Sequence, residues 1–111
     1  MLLPNADKAI IKTEKITDYV LNFEHFEGKN KARVFASALD LKKENADYLI
    51  NAIKEAILIN NAIKQSASAF ETKYVVDFEL TFENKTARVR TAWIIENEDE
   101  IPRLTTCYIK L

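Results

Sequence analysis

Two periodicities divide the chain. In its first half the apolar residues recur every three or four positions, the spacing of a helix with one buried face. Ile16, Tyr19, Val20 and Phe23 keep that spacing behind Thr13, a suitable N-cap, with Glu14 in the first turn where the helix dipole favours an acid. A second helix is predicted over residues 30–39, striped by Ala32, Phe35, Ala36 and Leu39. A third starts near Asn45, a plausible cap. Its Ala46, Leu49, Ile50, Ile53, Ala56 and Ile57 give the strongest helical signal in the chain, which fades around Asn60 and Asn61. Ahead of all three, Ala9, Ile10 and Ile11 read as a brief strand or an extended arm.

The period then drops to two. Over residues 74–82, Tyr74, Val76, Phe78, Leu80 and Phe82 share one face, and Val75, Asp77, Glu79 and Thr81 the other. This is a half-buried antiparallel strand. Residues 86–96 alternate again, with Ala87, Val89, Thr91, Trp93 and Ile95 on one side and Arg88, Arg90, Ala92 and Ile94 on the other. Cross-strand partners must lie on the same face. A two-residue turn at Glu83-Asn84 therefore sets Glu79 opposite Arg88, Asp77 opposite Arg90, Leu80 opposite Ala87 and Phe78 opposite Val89. A three-residue turn would oppose Leu80 to Arg88 and is rejected. After the acidic loop 97–100, Pro102 introduces a last strand over residues 103–111, whose register the pattern does not fix. Residues 62–70 carry no helical stripe and read as an extra strand.

Helices followed by strands give an α+β fold: two or three N-terminal helices on a three- to four-stranded antiparallel meander. The helical layer should cover the face bearing Tyr74, Val76, Phe78, Val89 and Trp93. At 111 residues and 48% hydrophobic content, a single domain over 1–111 with a two-layer core is expected.

Composition narrows the function classes. A formal net charge of −1 leaves no global footprint for nucleic acid, so any such binding must use a local patch. The single cysteine, Cys107, excludes an internal disulfide and cannot build a zinc site by itself, which fits a reduced, cytoplasmic habitat. The first residues lack the basic start and apolar stretch of a signal peptide. No window approaches the length of an uncharged membrane span, so no membrane association is expected. There is no glycine-rich phosphate loop, no paired metal-ligand spacing and no serine–histidine–acid pattern, and no cofactor is expected.

The chemistry concentrates between His25 and Phe35. This stretch holds the only histidine and the only glycine, Gly28, the natural corner between two helical segments. Lys29, Lys31 and Arg33 follow, placing positive charge at a helix start where the dipole favours acids. An ordinary imidazole exchanges its proton near neutrality, so histidine is the residue type suited to general acid or base work and His25 is the candidate; the alternative is a surface or capping histidine. The three cations could bind phosphate, or simply form a solvated helix face. Arg88 and Arg90 could clamp phosphate oxygens, or pair with Glu79 and Asp77 across the hairpin. Arg103, Thr105 and Thr106 form a polar cluster on the last strand. Threonine hydroxyls could orient a scissile phosphate, though threonine is also a good strand residue. Such a set suffices for metal-free phosphodiester chemistry, which needs a base for the 2′-hydroxyl, an acid for the leaving oxygen and cations for the developing charge.

Residues 5–9 (Asn-Ala-Asp-Lys-Ala), 15–22 (Lys-Ile-Thr-Asp-Tyr-Val-Leu-Asn) and His25 through Phe35 resemble a bacterial domain family of the DUF6883 type. Its core reads Tyr-Leu-Leu-Asn-Pro-x-His-Pro-x-Gly-x-x-Lys-Ala-x-x-Phe. Residues 73–77, 88–95 and 102–104 match as well, so the resemblance spans nearly the whole chain. Phe23 and Phe26 stand where the family usually has prolines around the histidine. Members occur alone and at the C-terminal tips of phage-like or polymorphic toxins. That context is similar to the superfamily of small metal-independent RNases that includes barnase-like, EndoU-like, colicin-like and RelE-like toxins. The resemblance implies a catalytic set of His25, Lys31, Arg90 and Thr105 or Thr106, with Lys29, Arg33, Arg88 and Arg103 on the substrate. It implies an RNA substrate and a cognate antitoxin or immunity protein as partner. The competing expectation is a non-catalytic inhibitor or adaptor that docks through the sheet, which the near-neutral charge and the Asp77/Glu79 pairing favour.

Overall fold

The hairpin forms in the register that the alternation requires. In a computed structural model, which describes residues 1–26 and 29–111, β2 (Glu71–Phe82) and β3 (Lys85–Glu96) pair antiparallel about Glu83 and Asn84. Asp77 faces Arg90, Phe78 faces Val89, Glu79 faces Arg88 and Leu80 faces Ala87. Glu83 takes a left-handed φ of 56°, so the tight turn is made without glycine. The weak 62–70 segment is a strand, β1 (Ala62–Ala67), antiparallel to β2, with an irregularity between Lys64 and Ser66. The last strand, β4 (Pro102–Ile109), starts and ends earlier than expected. The sheet order is β1-β2-β3-β4.

The register of β4 follows from a bulge. Ala92 pairs with Thr106 and Trp93 with Leu104, which leaves Thr105 as the extra residue. The arm reading of residues 9–11 holds at Ile10. Its N–H donates to the Pro102 carbonyl at 2.9 Å and its carbonyl accepts from the Leu104 N–H at 3.0 Å, making a parallel bridge to Arg103.

The first helix departs most from the periodicity. It begins as α1 (Thr13–Lys15) and continues as a π-helical turn, Ile16–Val20, closed by the Leu21 N–H on the Ile16 carbonyl at 2.9 Å. Lys12, not Thr13, holds the N-cap position, and no side chain caps it. The wider π turn brings Leu21 into the core beside Ile16 and Val20, and Phe23 falls beyond the helix and is exposed. Gly28, expected as the corner before the next helix, lies outside the described residues. Helix α2 (Lys29–Leu39) starts one residue early and buries Ala32, Phe35 and Leu39. Asp40, at a left-handed φ of 56°, ends it with an N–H bond to the Ala36 carbonyl, and Leu41 returns to the core. Helix α3 (Ala46–Ala56) follows a short turn, Lys43–Asn45. Asn45 sits at its N-cap but does not bond into it; the side-chain oxygen accepts from the Lys42 N–H instead, at 2.9 Å.

Helices and sheet enclose one core, so the fold is α+β. Tyr74, Val76, Phe78, Val89 and Trp93 are all buried beneath the helical layer, as expected. The buried hydroxyl of Thr91 donates to the Val76 carbonyl at 2.8 Å and accepts from the Trp93 indole N–H at 2.8 Å. Both polar groups are thereby satisfied in the interior. No helix of the described residues is long and apolar enough to cross a membrane.

Candidate active site

The π turn decides where the chemistry collects. By burying Ile16, Val20 and Leu21, it leaves Tyr19 half-buried at the rim of the core, facing α2. Lys31, on the first turns of α2, donates to the Tyr19 hydroxyl at 2.8 Å, and its ammonium lies 4.8 Å from the centroid of the same ring. The chain beyond the π turn folds back on itself. The Asn22 side chain accepts from the Glu24 N–H, and the Asn22 carbonyl from the His25 N–H. The imidazole thereby meets the Tyr19 ring edge-on, with centroids 4.7 Å apart and planes at 87°.

Tyr19 and His25 border a cavity of about 560 Å³ between the 13–20 segment and β4, and Lys31 reaches it only through its bond to the Tyr19 hydroxyl. His25, Tyr19 and Thr105 line it with Lys12, Lys15, Glu14 and Asp18. The β4 bulge supplies Thr105, whose hydroxyl donates to the Ala92 carbonyl at 3.1 Å. Its oxygen lone pairs remain available as acceptors. His25 and Thr105 thus share a cavity, which Lys31 joins only through the hydroxyl of a third lining residue from the predicted apolar stripe, Tyr19. Its spacing held a signal: Lys12, Lys15 and Tyr19 stand at i, i+3 and i+7, on one helical side. The π turn itself has no such signature.

The remaining candidates lie elsewhere. Thr106 pairs with Ala92 across the sheet, and its hydroxyl oxygen is buried with no hydrogen-bond partner among the described residues. Lys29 lies near the Phe26 ring, its ammonium 5.8 Å from the centroid. Arg33 is exposed, two positions past Lys31 and so turned to another side of α2.

Arg88 and Arg90 alternate with buried Val89 and Thr91, which places them on the sheet face opposite the helices. Arg90 grips Asp77 with two bonds, Nε to Oδ1 at 2.8 Å and Nη2 to Oδ2 at 2.9 Å. Arg88 was expected to pair with Glu79, its register partner; it leans instead toward Asp77 at 3.9 Å, as does Lys110 at 3.7 Å. The reason is burial: the Asp77 carboxylate is only 11% exposed and draws the cations, whereas Glu79 is solvated. Arg103, at the start of β4, pairs with Asp99 in the loop before it.

The electrostatics follow these pairings. The Arg90 hydrogen bonds hold Asp77 below the usual carboxylate range against the opposing effect of burial, and the same pair raises Arg90. Asp99 is lowered by the Ile101 N–H and then by Arg103. Burial pushes the Cys107 thiol up to about 12, with the Lys31 charge acting the other way, so the sulfur stays protonated and unreactive at neutral pH. Among the described residues, no group of three or more His, Cys, Asp or Glu side chains is placed to hold a metal ion.

Searches of curated proteins and of solved structures gave no match. The sequence profile of one family, described as Domain of unknown function (DUF6883), does match, over residues 2–111. The chain belongs to that family.

Proposed function

We propose that the protein is a metal-independent endoribonuclease of the toxin kind, acting at the His25 cavity on RNA in the cytoplasm and held in check by a cognate antitoxin or immunity protein. The observation that carries this reading is the convergence on Tyr19: an imidazole at the ring edge, an ammonium on the hydroxyl, and a strand threonine lining the same cavity.

His25, Tyr19 and Lys31 carry the chemistry, and Thr105 lines the cavity beside the first two. His25 takes the proton of a ribose 2′-hydroxyl. The resulting oxygen attacks phosphorus, the O2′–P bond forms and the P–O5′ bond breaks, giving a 2′,3′-cyclic phosphate. The Tyr19 hydroxyl protonates the leaving 5′-oxygen, and the Lys31 ammonium stabilises the charge that develops on phosphate and phenolate. Lys12 and Lys15 hold the flanking backbone. Arg90, expected among the catalytic groups, has no part in this scheme, because Asp77 occupies its guanidinium.

The test is cleavage of single-stranded RNA by the purified protein in the presence of a chelator. Products ending in cyclic phosphate are expected, with His25→Ala and Lys31→Ala each slowing the reaction by about 10²-fold or more. Expression of the wild type should arrest growth and His25→Ala should relieve the arrest. A harmless, folded and inactive wild type would sink this reading. The second reading would then stand, a non-catalytic inhibitor or adaptor. It is favoured by the engagement of Arg90 and Arg103 with carboxylates of the chain itself.

A further inference from the structure

We propose that the free half of the β2 edge is a docking groove for an extended, basic segment of a partner protein, which adds there as a short strand. The inference is independent of whether the His25 cavity is catalytic.

The groove arises because β1 is shorter than its neighbour. Its pairing with β2 ends at Ala62 opposite Val76, so Asp77 to Phe82 have a strand neighbour only in β3. In an antiparallel ladder, successive residues turn their N–H and C=O groups to opposite sides. Tyr48 shows which residues face outward here, since its hydroxyl donates to the Thr81 carbonyl from the α3 side. By alternation the N–H and C=O of Glu79 point the same way. An open cavity of about 640 Å³ lies along this edge, between α3 and β2. Its β2 side is four residues, Phe78 to Thr81, about 13 Å at ~3.3 Å per residue. Ala52, Ala56 and Leu80 give it an apolar wall, with Ile59 exposed at the mouth.

Backbone groups in a row call for an extended chain, and the charges say which kind. Glu55 and Glu79 line the groove, and neither has an ion-pair partner among the described residues. The one cation there, Arg88, leans away toward Asp77. An incoming strand complements the site when it turns lysine or arginine toward Glu79 on the open sheet face and small apolar residues toward Ala52, Ala56 and Leu80 on the other. Glu55 of α3 adds negative charge at the rim. A second copy of this chain is a poor source of such a strand. Its β1 edge carries Lys64 and a register break, both of which discourage pairing, and its β4 edge is partly covered by Ile10.

The test uses an eight-residue peptide of alternating valine and lysine, titrated into the isotope-labelled full chain. Amide shifts should be confined to residues 78–81 and 48–59, and exchange at the Glu79 and Thr81 amides should slow by about tenfold. N-methylation of every second peptide bond should weaken binding by about tenfold or more, as should the double variant Glu55→Lys/Glu79→Lys, whose sites are both exposed. Binding indifferent to N-methylation, binding unchanged in the folded double variant, shifts mapping elsewhere, or no shifts at millimolar peptide would each overturn the proposal. So would the same amides shifting with protein concentration alone, which would assign the groove to a second copy.

Discussion

Lys31 engages Tyr19 twice, through a 2.8 Å bond to the hydroxyl and an ammonium 4.8 Å from the ring centroid. The two contacts separate under mutation. Tyr19→Phe keeps the ring that meets His25 and the face that attracts the cation, but removes the oxygen. If the hydroxyl protonates the leaving group, RNA cleavage falls by about 10²-fold while the urea midpoint hardly moves. Equal losses of activity and stability would make Tyr19 a packing residue only.

Asp77 is the acid-sensitive point of the sheet. Its pKa is depressed in the folded state, so its stabilisation is present above the unfolded value near 3.8 and is lost as pH falls through the lower folded value. Asp77→Asn should cost about 1–3 kcal/mol at neutral pH, since it leaves the half-buried Arg90 without its charged partner. The acid limb of unfolding, followed by circular dichroism from pH 5 to 2, should flatten in that variant. Arg88→Ala, which removes only a long and exposed contact, should shift the urea midpoint by far less.

Thr91 tests the interior. Valine there keeps the shape but leaves the Trp93 indole N–H buried and unpaired, at a cost of about 1–3 kcal/mol. Urea unfolding followed by tryptophan fluorescence reads the change. A neutral substitution would mean that water or a shifted backbone group meets the indole.

Cys107 should resist thiol reagents in the native protein and react only at the rate of opening, because it is buried and protonated. Modification at the rate of an exposed thiol would contradict its placement beneath α2.

The hairpin was legible because alternation is a strong constraint. One slip of register would have put Arg88 against Leu80, so the pairing of Asp77 with Arg90 could be read from the sequence. The weaker features depended on backbone irregularities that side-chain patterns do not encode. The π turn replaced Phe23 with Leu21 in the core and set Tyr19 between His25 and Lys31. The β4 bulge separated Thr105 from Thr106, two residues that sequence alone treated as interchangeable. Arg88 chose the carboxylate that burial makes more demanding over the one directly opposite, a choice that depends on solvent access and not on spacing.

The chain's opening residues span the sheet from side to side. The Met1 carbonyl accepts from the Ala62 N–H where β1 begins, the Asn5 side chain reaches the Glu100 carbonyl, and Ile10 clips onto β4. Each of these anchors joins residues more than 60 positions apart, reaching 62, 100 and 102–104. Closure at this end therefore needs both the opening residues and the later ones they meet, and removal of residues 1–10 would leave β4, with its bulge and Thr105, unfastened on its outer side.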